Sequence, residues 1–419
     1  MLRFNKKVHT ILAAILLLAF CMPASAQPSS AHPNNNQWSR HSDYSSPVTK
    51  PKIAWAVPID DSITNMVIDS KGTIYTVSST SSHSKSRLTA VSPQGKIQWK
   101  AELDSKGKDL VLFRDNMLIV SGYGNSAEEG VFSTLSAYSA DGQLQWESTF
   151  PGMDNTGQGS IGVDDDGMFV MSGLQAGEDG NQDIVIVAVN TLGGTLWSKT
   201  HQLKSPHTAA SSPIVIKDGI YLTVSKDASE SSGKGASAIQ YNDGRLLRLD
   251  KEGNVVWSRF YHGYHHASPV YAENTLYVPA GKHLYLYDRN GKRKQKIEIE
   301  GAISNWIAPS IGKNGNFYYG QRMIAPSGNT LWSFSPLDIP FSNEQPVNTV
   351  AIDSKYNVLY GYNSVKGKGG GLISANSATK KVNWKLPLYQ SLSSPPVIGK
   401  DGTIYIGGSK LFAIKAAAK

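Results

Sequence analysis

Beyond residue 50 the apolar residues of this chain fall in short runs that stop after a few positions, and no stretch keeps the i, i+3, i+4 spacing of an amphipathic helix. "MVIDSKGTIYTVSS", "IGVDDDGMFVMSG", "PIVIKDGIYLTVS", "AIDSKYNVLYGY" and "PVIGKDGTIYIGG" each hold two runs rich in β-branched and aromatic residues, joined by a short polar turn. The pattern predicts pairs of antiparallel strands joined by tight hairpins.

After each pair comes a second hairpin written on one template: "AVSPQGKIQW" at 90–99, "AYSADGQLQW" at 137–146, "AVNTLGGTLW" at 188–197, "RLDKEGNVVW" at 248–257, "LYDRNGKRKQ" at 286–295, "MIAPSGNTLW" at 323–332 and "ANSATKKVNW" at 375–384. Glycine holds the sixth place in six of the seven copies and tryptophan the tenth in six. A glycine there supplies the positive φ that a tight hairpin turn requires. The unit is therefore four strands, and Trp55, Trp99, Trp146, Trp197, Trp257, Gln295, Trp332 and Trp384 mark its repeat at spacings of 37 to 60 residues. Four-stranded units at that period predict a β-propeller. The chain ends give the count: "PPVIGKDGTIYIGGSKLFAIK" supplies three strands, while "PKIAW" at 51–55 matches the fourth-strand segment "GKIQW" at 95–99. The expected fold is all-β, an eight-bladed propeller of four-stranded antiparallel blades whose ring is closed by the N-terminal strand completing the last blade, which leaves no open ring edge.

The template A-x-x-x-x-G-x-x-x-W resembles the tryptophan-docking repeat of the PQQ-like, quinoprotein-type eight-bladed propellers, over roughly residues 51–415. The resemblance implies that Trp55, Trp99, Trp146, Trp197, Trp257, Trp332 and Trp384 pack between adjacent blades while the glycine lets each approach its neighbour's backbone. Gln295 and Lys380 depart from the template, so blade five is expected to dock less tightly and blade seven to turn differently. Some members of the family are PQQ-dependent dehydrogenases, which hold the quinone with calcium and often stack it on a vicinal disulfide. The outer-membrane assembly-factor B (BamB-like) group is similar in length and supports insertion of outer-membrane proteins.

The N-terminus changes the picture of where this propeller works. Arg3, Lys6 and Lys7 precede an apolar run at 11–20 that is too short to span a bilayer, and the small side chains of Ala24 and Ala26 set the expected cleavage after Ala26. Residues 1–26 thus read as a signal peptide and predict a secreted or extracytoplasmic protein, at the cell surface or in a periplasm. Lipid anchoring at Cys21 is the weaker alternative, because bulky Phe20 stands where lipidation favours a small residue. Cleavage removes three of the 41 Lys and Arg and none of the 33 Asp and Glu, leaving a formal charge of +5 that is too diffuse to argue for nucleic acid. It also removes the only cysteine, so disulfides, thiolate metal sites and the vicinal disulfide are excluded from the processed chain. Residues 27–50 are rich in Ser, Pro and Asn and are expected to form a flexible polar tether to a propeller domain at 51–419.

Strand alternation puts the first-to-second and third-to-fourth turns on one face and all other connections on the opposite face. The first face carries short Asp-Gly or Asn-Gly turns; the second carries long varied segments such as "SGYGNSAEEGVFST" and "SKDASESSGKGASAIQYNDGR" and is the expected binding face. Where its connections feed the innermost strands, Asn65, Ser211, Ser212, His265, His266, Asn305, Trp306, Asn348, Ser393 and Ser394 are the candidate channel-mouth residues. Ser-Ser-Pro recurs with the blade period at 211–213 and 393–395, which favours a structural turn role over a ligand role.

Other chemistry finds less support. His262, His265 and His266 lack a carboxylate in their motif, "VDDDG" at 163–167 repeats a hairpin turn found in other blades, and no helix follows the glycines at 157, 159 and 162. "GKRKQK" at 291–296 reads as a solvated loop, and no H-E-x-x-H or G-x-S-x-G occurs. The expected function is a non-catalytic, monomeric binding scaffold with a protein or cell-envelope polymer as partner, with no transmembrane segment, resident metal or other cofactor. The alternatives are a PQQ-dependent dehydrogenase with calcium, or a BamB-like assembly factor.

Overall fold

The computed structural model describes residues 42–79, 86–128, 130–155, 161–177, 182–202, 209–226, 243–263, 267–299, 308–312, 314–319, 322–333, 344–346, 350–364 and 369–417. They form eight antiparallel sheets, the blades of an all-β propeller. Blade one comprises Ser62–Ile68, Ile74–Ser79, Ser86–Val91 and Ile97–Leu103; blade two comprises Lys106–Phe113, Met117–Ser126, Gly130–Ser139 and Leu144–Pro151. Blades three to seven follow in chain order with outer strands Thr195–His201, Val255–His262, Arg293–Glu298, Thr330–Ser333 and Lys381–Pro387. No helix among the described residues is long and apolar enough to cross a membrane.

The strand sequences follow from where each strand sits. Inner and middle strands are covered on both sides by neighbouring blades, so they are continuously apolar: Leu110, Val111, Leu112 and Phe113 of the innermost strand of blade two are all buried. Outer strands bury one side only and alternate, as in Ile97–Leu103. The core is accordingly divided into clusters between successive blades, with Phe113 of blade two against Phe169 of blade three at 5.3 Å, edge to face.

Ring closure takes the expected form. Blade eight joins Val397–Ile398, Ile404–Gly407 and Lys410–Lys415 to Lys52–Pro58, with Lys52 opposite Lys415 and Pro58 opposite Lys410. The expectation of a free tether reaching residue 50 is corrected, because the chain is already docked at Ser42. Its N–H donates to the Ile352 carbonyl (2.6 Å), Ser354 N–H donates to the Tyr44 carbonyl (3.0 Å), and the N–H and hydroxyl of Ser46 both donate to Asp353 Oδ2 (2.8 and 2.7 Å). Composition missed this because these contacts use backbone groups and one serine, and need no aliphatic side chain.

Candidate binding face

The blade-to-blade joints define which polar groups are left for other work. Trp55 Nε1 donates to the Pro93 carbonyl (2.9 Å), Trp99 to Ala140 (3.0 Å), Trp146 to Thr191 (2.9 Å) and Trp197 to Lys251 (2.7 Å), each acceptor lying in the third-to-fourth turn of the next blade. The turn glycine lies flat on the indole: a Cβ on Gly142, whose φ is +89°, would stand 2.7 Å from the Trp99 ring. Gln295 keeps the polar half of this arrangement, its Nε2 donating to the Ser327 carbonyl at 2.7 Å, while the ring contact is lost. In blade four the indole N–H of Trp257 is buried without a hydrogen-bond partner among the described residues, and Arg259 reaches the next turn instead, donating to the carbonyls of Gly291 (2.9 Å) and Asn290 (3.3 Å). Trp332 packs in the cluster of Tyr318, Met323 and Val350. The turn of blade seven differs from the others: Lys380 takes the left-handed conformation (φ 57°), and a bulge between Ser374 and Ala375 pairs Trp384 with Ser374.

The polar residues expected at the channel mouth divide sharply. Asn65 is fully buried, its Nδ2 donating to Asp109 Oδ1 (2.6 Å) and to the Leu110 carbonyl (3.2 Å) of the next blade. Ser211 is buried, accepting from Thr223 N–H (2.9 Å), and Ser394 repeats the pattern in blade eight, accepting from Gly407 N–H (2.9 Å). Ser212 is likewise buried. All four are thus enclosed by the fold, and for Ser211, Ser212 and Ser394 this agrees with the structural turn role that the recurring Ser-Ser-Pro favours. Ser393 is half-buried and donates to the Ile63 carbonyl of blade one (2.7 Å). His265, His266, Asn305, Trp306 and Asn348 lie outside the described residues.

Two residues that the sequence reading passes over lie on the same face. Lys108 is the extra residue of a β-bulge between Gly107 and Asp109 at the start of the innermost strand of blade two. Its Nζ donates to the Asn155 carbonyl at 2.7 Å, and burial pushes the ammonium down to about 7 while Asp154 and Asp109 pull it back up. Tyr389, in the connection from blade seven to blade eight, is 82% exposed and holds a φ of 55°. No period announces either residue, since each occurs in one blade only.

The family model described as outer membrane protein assembly factor BamB matches residues 52–226 and, overlapping, 131–305, which together exceed half of the 419-residue chain. The chain belongs to this PQQ-like propeller family. No curated protein matches closely enough to add a relative. Among solved structures, this PQQ-like propeller is similar to a europium-containing methanol dehydrogenase, with a TM-score of 0.64, 11% identity and 91% of each chain covered. It is also similar to the Dos1 propeller, with a TM-score of 0.55, 9% identity and coverage of 88% of this chain and 96% of that one. At such identities the likeness is one of fold.

Calcium with a quinone needs several carboxylate and amide oxygens converging on one ion. Among the described residues no three His, Cys, Asp or Glu side chains gather in that way. Asp109 gives Oδ1 to Asn65 and Leu110 and Oδ2 to the Ile161 N–H (3.0 Å), and Asp164 of the acidic turn accepts from three backbone N–H groups and Lys251.

Proposed function

We propose that the protein is a non-catalytic, monomeric binding scaffold that works outside the cytoplasm at the cell envelope and takes hold of a protein or envelope polymer with its long-loop face. The observation that supports this reading is the enclosure of Asn65, Ser211, Ser212 and Ser394 in the fold, which takes their polar groups away from the surface a partner would meet. Contact with a partner then falls to the long connections, which vary from blade to blade while the tight-turn face repeats. The secretory reading of residues 1–26 supports the compartment. The family description supports a second, narrower reading of the same face, a BamB-like role in outer-membrane protein assembly.

The test is a titration of chain 27–419 with PQQ and Ca²⁺, followed by tryptophan fluorescence and by dye reduction with simple alcohols and sugars. The scaffold reading expects no saturable binding and no turnover; turnover overturns it in favour of a dehydrogenase. N-terminal analysis of the native protein decides the anchor: a terminus at Gln27 supports release, whereas a lipidated Cys21 supports the BamB-like arrangement.

A further inference from the structure

Tyr389 is the most exposed aromatic side chain among the large hydrophobics of the described surface, and its backbone adopts a conformation that L-residues avoid. Glycine would remove that strain without cost in side-chain contacts, yet tyrosine stands there. The backbone is also held firmly. Leu388 and Tyr389 N–H both donate to the Gly370 carbonyl (2.8 and 3.2 Å), and Gly370 N–H donates to the Gln390 carbonyl (2.6 Å). The support is shaped for this, since a Cβ on Gly369 would lie 2.4 Å from the Tyr389 carbonyl carbon. The next residue, Gln390, is tied down, its Nε2 donating to the Lys410 carbonyl (3.0 Å) and its Oε1 accepting from Ser409 (3.1 Å). Lys410 itself is exposed and makes no ion pair among the described residues, while nearby Asp60 is committed to Arg87 and Lys100, both at 2.6 Å.

We infer that Tyr389, with Gln390 and Lys410, forms a pre-built anchor on the long-loop face for an extended polypeptide that carries an apolar side chain near a carboxylate. A strained residue persists only where the surrounding structure holds it, as the bonds to Gly370 do here. A rigid aromatic with a polar tip contributes large contact area with little rotamer entropy to lose, which is why tyrosine dominates interface anchors. The ring accepts the apolar side chain, the second Nε2–H of Gln390 offers a hydrogen bond to a main chain, and the Lys410 ammonium selects acidic segments. The inference rests on the scaffold reading and gives its partner a chemistry.

The test uses chain 27–419 and fluorescein-labelled, reduced and carboxymethylated α-lactalbumin, an acidic chain that stays unfolded, with labelled polylysine and dextran as contrasts, read by anisotropy. The expected result is saturable binding of the lactalbumin chain alone. Tyr389→Phe retains it, Tyr389→Gly weakens it about tenfold or more, and Lys410→Glu weakens it and flattens its salt dependence. Tyr389→Gly also melts no lower than the wild type, because the backbone strain is gone, so a loss of binding is separated from a loss of folding. Absence of binding by the wild type, preference for dextran or polylysine, or undiminished binding by Tyr389→Gly each overturns the inference. Quinone-dependent turnover sinks the scaffold reading through a different signal and leaves these titrations to judge Tyr389 by themselves.

Discussion

The indole Nε1 of Trp384 donates to the carbonyl of Pro47 at 2.8 Å, across 337 positions of the chain. In other joints the acceptor belongs to the turn between a blade's third and fourth strands, such as Pro93 for Trp55. Blade eight has no such covalent turn, because its third and fourth strands come from opposite ends of the chain. Residues 42–50 fill the vacant place, so the ring is closed by a strand and also by the strap that leads into it.

The strap is latched on Asp353, a fully buried carboxylate that accepts five hydrogen bonds, two of them from Ser46. Ser46→Ala removes one of these donors, and deletion of residues 42–46 removes both. We expect the substitution to cost about 1.5–3 kcal/mol, the range for a bond to a charged group, and the deletion to cost more. Urea unfolding followed by tryptophan fluorescence measures both; an unchanged midpoint for the deletion would show that the strap adds nothing to closure.

The docking joints differ in kind and so in expected cost. Trp146→Ala loses both ring burial and the bond to Thr191, and should destabilise by about 3 kcal/mol or more, as for other large aromatics. Gln295→Ala loses a hydrogen bond alone and should cost about 1 kcal/mol. Equal shifts in the thermal midpoints of the two variants would contradict the assignment of ring packing to one joint and hydrogen bonding to the other.

Asn65 and Asp109 join blades one and two at 2.6 Å, both fully buried. Asn65→Leu leaves a buried carboxylate short of a donor and should cost about 2 kcal/mol or more. Adding Asp109→Asn should recover part of that loss, because the stranded charge is then gone. A double variant less stable than Asn65→Leu would refute this account of the pair.

Lys108 makes stability depend on pH with a definite sign. Burial lowers its ammonium to about 7 in the folded protein, below the usual lysine value near 10.4 in the unfolded chain. Between these values the unfolded state binds more protons, so this group's contribution to stability rises as pH increases from about 7 towards 10. Lys108→Met abolishes that term, so the melting temperature of the variant relative to wild type should stay level below about pH 7 and fall from there towards pH 10. A difference that stays flat between pH 7 and pH 10 would show that the ammonium remains solvated.

Much of the architecture was legible because its determinants are local. A strand pair, a glycine turn and a tryptophan at the tenth place each occupy about ten residues, and their recurrence yields the period, the number of blades and the shared last blade without knowledge of any distant contact. The binding face is legible only as a class of loops. Ser211 and Ser394 look in sequence like polar groups available to a ligand, but whether a hydroxyl meets solvent or a neighbouring N–H depends on which blade covers it. Gln295 illustrates the same limit: it breaks the written pattern and still makes the bond, because an amide and an indole both present an N–H at the distance the joint requires.

Periodic hydrophobicity and turn chemistry, both local, set the four-stranded unit, the eightfold ring and the strand that closes it. Contacts between residues far apart in the chain set the rest: the docking of Ser46 on Asp353, the enclosure of Asn65 with Asp109, the bulge that carries Lys108, and the strained display of Tyr389 above Gly370. The physical reason is that burial of a polar group is favourable only when a partner waits at hydrogen-bond distance, and that partner is chosen by the closed ring.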